Sequence, residues 1–131
     1  MIKGTCHCGK VSWTLDAAPK LVTACNCTIC RRYGALWAYG YIDHDIQTTG
    51  HTNTYRRRDS GDIDFHICPI CGCLTHFVVV AEDENRRRRT AVNLRMSDLS
   101  PIGAIPIRHF DGNDSFKELP QDGRTVKDMW F

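Results

Sequence analysis

The sequence predicts a small, mainly β fold of antiparallel sheets with few short helices. Three observations carry that expectation. Several short runs read as strands, one by alternating apolar and polar residues and others by aromatic content or flanking turn residues. No run shows the 3.6-residue period of a long helix. Eight cysteines fall in three clusters, each beside a glycine, which suits turns at strand ends rather than the interiors of elements.

The elements follow in chain order. Val11-Ser12-Trp13-Thr14-Leu15 alternates as a half-buried strand does. Residues 35–42 carry Trp37, Tyr39 and Tyr41 and read as a second strand. Residues 52–58 and 63–67 flank Ser60-Gly61-Asp62, the composition of a hairpin turn. Residues 74–81 and 90–94 form another pair, joined by residues 82–89. A helical turn is expected at Ser97-Asp98-Leu99 before Pro101, and another over residues 114–119 before Pro120. Arg108-His109-Phe110-Asp111-Gly112 reads as a strand running into a turn.

The bulk properties set limits. A length of 131 residues suits one domain spanning residues 1–131. Hydrophobic residues at 42% and charged residues at 24% argue against general disorder. A formal net charge of +2 gives no reason to expect a nucleic-acid partner. No stretch approaches the roughly 18 apolar residues of a membrane span. Met-Ile-Lys-Gly-Thr-Cys reaches a cysteine before any apolar run develops, so no secretory signal is expected and the compartment should be reducing, that is, cytoplasmic. There, clustered cysteines are metal ligands or catalytic groups more often than disulfides.

Zinc takes four ligands in a tetrahedron and favours thiolates in structural sites. Cys68-Pro69-Ile70-Cys71-Gly72 can aim two sulfurs at one ion, with Pro69 presetting the turn and Gly72 leaving it at positive φ. Two more ligands are needed, and Cys6-His7-Cys8-Gly9 offers the matching pair. Cys6, Cys8, Cys68 and Cys71 are therefore assigned to one site, which closes a loop of about 60 residues. Cys25-Asn26-Cys27-Thr28-Ile29-Cys30 supplies three thiolates. Three ligands with an open fourth position is the pattern of a catalytic zinc. The alternatives are a closed site completed by Cys73 or a histidine, or a redox role. Cys73 itself reads as a small residue on the strand after its turn, as a reserve ligand, or as a thiol facing the second site. His66 and His76 read as strand residues, and His7 as pointing outward.

These motifs resemble those of a known family. Gly4-Thr5-Cys6-His7-Cys8-Gly9-Lys10-Val11-Ser12-Trp13 resembles the opening of the glutathione-dependent formaldehyde-activating enzymes, a family that includes the centromere protein V domain. Cys25 to Arg32 followed by Gly34 resembles its second motif, and Phe65-His66-Ile67-Cys68-Pro69-Ile70-Cys71-Gly72 its third. The similarity spans about residues 3–120, and Arg108 to Gly112 also resembles a segment found late in family members. The resemblance implies a β-tent zinc-binding fold, shared with a chaperone of small GTPases and with methionine sulfoxide reductase B. It implies two zinc ions per chain, a structural one at Cys6, Cys8, Cys68 and Cys71 and a catalytic one at Cys25, Cys27 and Cys30. It implies a carbon–sulfur lyase that adds glutathione to formaldehyde, giving S-hydroxymethylglutathione. The competing expectation is a non-catalytic binding module with both zincs structural.

Glutathione carries two carboxylates, so a basic rim is expected. Arg31 and Arg32 directly follow the third ligand and are the candidates for binding it. Arg56 and Arg58 should share one strand face, exposed or reaching the substrate. Arg86 to Arg89 follow Glu82-Asp83-Glu84 and read as a solvated, self-compensating hairpin tip. Tyr33, Trp37 and Tyr39 are expected either to wall the second site or to pack the core. Seven thiolates holding two divalent ions take the formal charge from +2 to −1, which removes the mild basicity of the bare chain.

Overall fold

The computed structural model describes residues 1–129; Trp130 and Phe131, the end of the expected single domain, lie outside the described residues. A three-stranded sheet contains β1 (Ile2–Thr5), β2 (Ser12–Leu15) and β5 (Ile46–Thr49), in the order β1-β2-β5. The larger sheet takes β3 (Val22–Cys25), β4 (Leu36–Tyr41), β6 (Asn53–Arg56), β7 (Ile63–Ile67), β8 (Leu74–Val79), β9 (Arg89–Asn93), β10 (Ile107–Asp111) and β11 (Lys117–Glu118). Its order is β11-β10-β3-β4-β9-β8-β7-β6. The architecture is mainly β with few short helices, as expected, and its described strands form two sheets. Among the described residues, no helix is long and apolar enough to cross a membrane.

Period-two alternation decides which side chains go where. On β4, Leu36 and Ala38 enter a core shared with Trp13 and Leu15 of the small sheet. Trp37, between them, faces the opposite side with Phe65, Phe77 and Ala91. One strand thus feeds two cores, which is why residues 35–42 read as a nearly continuous apolar run. Trp13 can lie flat on β1 because its partner there is Gly4: a Cβ at Gly4 would sit 2.3 Å from the Trp13 ring.

The β6–β7 hairpin and the β8–β9 pair form where expected, the first turning at Gly61 with φ of 67°. The tip at residues 82–89 also compensates itself: Arg87 pairs with Asp83, and Arg87 and Arg89 stack on Tyr41 and Tyr39. Three expectations are corrected. The sheets are not wholly antiparallel, because β10 pairs with β3 in parallel register. The helical turn near Pro101 is α2 (Leu99–Ile102), which contains Pro101 rather than stopping before it. Proline is tolerated in a first turn, where its N–H would have no intrahelical acceptor. Residues 114–119 are not helical: Asp111 draws the chain into a turn by accepting from the N–H groups of Asn113, Asp114 and Ser115, and β11 follows.

His66 and His76 are cross-strand partners on β7 and β8, with rings stacked at 4.3 Å. Burial, and then the neighbouring His66, push the His76 imidazole down to about 3. Below pH 6.5 the unfolded chain therefore takes up a proton that the folded chain refuses. Stability should fall as the pH drops from 6.5 towards 3, by about 2 kcal/mol at pH 5. Urea unfolding of the metal-saturated chain at pH 7 and pH 5 checks this. His76→Leu should lose less stability across that interval than the native chain; an equal loss would exclude His76 as the source.

Candidate metal centres and the adjoining cavities

Two sets of thiols converge. The Sγ atoms of Cys6, Cys8, Cys68 and Cys71 lie within 4.8 Å of one another, as do those of Cys25, Cys27 and Cys30. All eight cysteines are free thiols. Either set could hold a metal ion.

The four-cysteine set joins the two sheets. Cys6 follows β1 of the small sheet, and Cys68 follows β7 of the large one. The two turns are built alike. Cys6 N–H donates to Val11 O and Gly9 N–H to Cys6 O; Cys68 N–H donates to Cys73 O and Gly72 N–H to Cys68 O. Gly9 and Gly72 both adopt φ of 76°, a left-handed conformation that glycine takes without a Cβ penalty. Sulfur separations are 3.6 Å for Cys6–Cys8 and for Cys8–Cys68. The Val11 N–H donates to Cys6 Sγ at 3.2 Å. The backbone N–H groups of Cys73 and then Cys8 draw the Cys71 thiol down to about 5. Cys73 packs beside this set, on Cys6, Val11 and Cys68. It does not face the three-cysteine set. His7 points outward, as expected.

The three-cysteine set forms where β3 turns into α1 (Cys30–Tyr33). The Cys30 N–H donates to Cys27 Sγ at 3.4 Å, and the Cys27 N–H to Cys25 Sγ at 3.5 Å. Trp37 Nε1–H donates to Cys30 Sγ at 3.3 Å. The Cys27 thiol is held far below its usual range by Cys25 and then Cys30. Cys30 is correspondingly pushed far up, by Cys25 and then Cys27. His66 and His76 belong to neither set.

The parallel β3–β10 pairing places Phe110 opposite Cys25 and brings Gly112 against the cysteines. Asp111 accepts from the Asn26 side chain, and Asn26 accepts from the Asn113 N–H, so this turn is tied to the cysteine loop. A Cβ at Gly112 would lie 2.6 Å from Cys25 Sγ and 3.0 Å from Cys27 Cβ. Gly112→Ala should therefore weaken metal binding at this set about 10- to 100-fold, the range seen when a ligand's support is disturbed. Chelator competition measures it; unchanged affinity at both sets would show that the loop yields freely.

Two cavities adjoin the three-cysteine set. The inner one, about 160 Å³, is floored by Cys25, Cys27 and Cys30 and walled by Trp37, Tyr39, Ile63, Phe65 and Phe77. Trp37 and Tyr39 thus fulfil both expectations, packing the core and walling the site. The outer cavity, about 690 Å³, is open and lined by Arg32, Arg57, Arg58, Tyr33 and Tyr55. Arg57 lines both, and its guanidinium lies 4.0 Å from Cys27 Sγ. Asp59 steadies it through two hydrogen bonds, of 2.6 and 3.0 Å.

Of the two arginines expected at the rim, Arg32 lines the outer cavity while donating to Thr28 O; Arg31 is exposed and lines neither cavity. Arg56 pairs with Asp64 on the exposed side of the hairpin. The strand ends at Arg56, so alternation no longer governs the next two residues, and Arg57 and Arg58 turn towards the outer cavity. Arg57, Gly112 and Phe116 line the inner cavity, and sequence reasoning missed them. The late segment at residues 108–112 was the available signal for Gly112.

The chain matches the glutathione-dependent formaldehyde-activating enzyme family over residues 1–105. A crystal structure of a Rhodobacter sphaeroides protein, a structural-genomics target, superposes with a TM-score of 0.58 at 26% identity, covering 72% of this chain and 86% of that one. No curated protein matches. The family match spans all three cysteine clusters, and on it the chain belongs to the glutathione-dependent formaldehyde-activating enzyme family.

Proposed function

We propose that this single domain is a zinc-dependent carbon–sulfur lyase-type enzyme, similar to an S-(hydroxymethyl)glutathione synthase. It joins or separates a thiol such as glutathione and a small aldehyde. One observation carries the proposal: Cys25, Cys27 and Cys30 floor a cavity with three thiols, whereas the other set has four. Structural zinc sites are closed by four protein ligands, and catalytic ones keep a position open. Thiol-only donor sets suit zinc. The 3.6 Å sulfur separations also approach the ~3.8 Å edge of a tetrahedron with zinc–sulfur bonds of ~2.3 Å. Cys6, Cys8, Cys68 and Cys71 would hold the structural zinc, and Cys25, Cys27 and Cys30 the catalytic one.

When bound, the second zinc supplies a Lewis acid that can lower the pKa of a coordinated thiol or polarise a carbonyl. The chain's own residues hold and orient the reactants. Arg57 is the cation lining the inner cavity, placed to favour negative charge developing on a carbonyl oxygen. Arg32, Arg57 and Arg58 suit the carboxylates of glutathione in the outer cavity. In the reaction the thiol sulfur bonds to the carbonyl carbon. The carbonyl π pair moves to oxygen, and the thiol proton ends there. Nothing is oxidised or reduced.

A second reading has support of its own. The lining of the inner cavity contains no imidazole and no carboxylate to move that proton, as a non-catalytic module with two structural zincs would have it. Under either reading we assign no nucleic-acid or membrane partner, and a reducing cytoplasm as the setting. Exchange spectroscopy on glutathione and formaldehyde separates the two. The metal-loaded chain should accelerate hemithioacetal formation above the solution rate; an unchanged rate would leave the module.

A further inference from the structure

We propose that the aldehyde taken by this site is larger than formaldehyde: an apolar aldehyde, aromatic or branched aliphatic, whose side group fills the inner cavity. The proposal rests on the reading that the site joins a thiol to an aldehyde.

The size of the cavity is the first observation. Formaldehyde has two heavy atoms and no side group to bury. The inner cavity, half open to solvent, is about 160 Å³, a little of which an ion on the three sulfurs would take; an enclosed apolar protein cavity of about 150 Å³ accommodates benzene. Its walls interlock: Trp37 meets Phe77 edge-on at 4.8 Å, and Phe65 meets Phe77 at 5.7 Å. Rings packed in this way, on three neighbouring regions of one sheet, resist collapse onto a smaller ligand.

The mouth is the second observation. Phe116 lines the cavity, yet is 70% exposed. Its φ is 54°, a conformation rare for a bulky residue. The turn holds it there, with the Phe116 N–H donating to Asp111 O at 2.8 Å and the ring set edge-on to Phe110. An exposed phenyl ring at the rim of an apolar cavity gains burial when an apolar group enters beneath it.

The polar groups then fix the orientation. The Arg57 guanidinium lies 4.0 Å from Cys27 Sγ, and the three sulfurs lie within 4.8 Å of one another, so the polar groups of the lining cluster together, which suits the carbonyl. The aromatic walls take the side group, and the thiol carrier occupies the basic outer cavity. As before, a C–S bond forms and the thiol proton passes to the carbonyl oxygen, giving a hemithioacetal with an apolar substituent on its carbon.

The test compares S-benzylglutathione with S-methylglutathione, neither of which can react, by calorimetric titration of the zinc-loaded chain. The benzyl derivative should bind at least about tenfold more tightly, since six more carbons leave water. Phe116→Ala should cut that preference severalfold, and Ile63→Phe, which fills the cavity, should abolish it. Circular dichroism confirms that both variants fold. Equal affinity of the native chain for the two ligands would overturn the proposal. If neither derivative binds, glutathione fails as the carrier, and benzyl alcohol tests the cavity alone. A shift of the Trp37 indole resonance on its addition would support the apolar site; no shift would overturn it.

Discussion

Cys27→Ser is expected to abolish turnover while leaving a folded chain that holds one metal ion instead of two. Cys27 is the centre of the three-cysteine set. Its sulfur accepts from the Cys30 N–H and lies beside the Arg57 guanidinium. Its thiol is the one held low by its neighbours Cys25 and Cys30. Serine nearly matches cysteine in size, so the apolar cluster of Trp37, Phe65 and Phe77 keeps its packing. The clasp between the sheets is untouched. Loss of a ligand should exceed the 10- to 100-fold cost typical of disturbing a ligand's support, so turnover should fall by more than about 100-fold. Metal analysis and circular dichroism accompany the rate measurement. Full activity in this variant would contradict the catalytic role proposed for Cys27.

Cys68→Ser is expected to unfold the chain. Cys68 is 1% exposed and sits where the end of β7 meets the turn that follows β1. Its sulfur lies 3.6 Å from that of Cys8. Around it, only Cys6 and Val11 form a fully buried cluster, so little apolar packing replaces a lost ion there. Structural zinc of this kind supplies apparent binding energy on the order of 10–16 kcal/mol. A small domain is stable by only about 5–15 kcal/mol. Loss of the clasp therefore removes an amount comparable to the whole. Far-ultraviolet circular dichroism of the variant, and of the native chain after chelation, should both report unfolding. A soluble, native-like Cys68→Ser protein would show that the sheets hold together without the clasp.

Local pattern made much of this fold readable. Residues 63–67 alternate and are flanked by turn residues, and β7 occupies that span. The cysteine turns were readable because a left-handed glycine must follow each pair, as Gly9 and Gly72 do. The short edge elements were not. β1 (Ile-Lys-Gly-Thr) and β5 (Ile-Gln-Thr-Thr) each carry a single large apolar residue, too few for alternation to register, and β1 carries Gly4 where a strand residue would be expected. The parallel β3–β10 pairing joins residues more than 80 apart in the chain, and no local signal encodes it. That pairing delivers Gly112 and Phe116 to the cysteines, so part of the site was hidden with it. Arg57 was hidden differently: in Arg56-Arg57-Arg58, alternation favours the outer two, and only the end of β6 at Arg56 turns the middle one inward.

The proposed division of seven cysteines into a closed four and an open three is tested most directly by cobalt(II) substitution followed by glutathione titration. Two ions should bind per chain. Glutathione should change the absorption of one of them, to an end point of one thiol per chain, as a fourth sulfur enters its coordination. The other ion should not respond. Two ions with unresponsive spectra would mean that both centres are closed, and the three-cysteine set would then be structural.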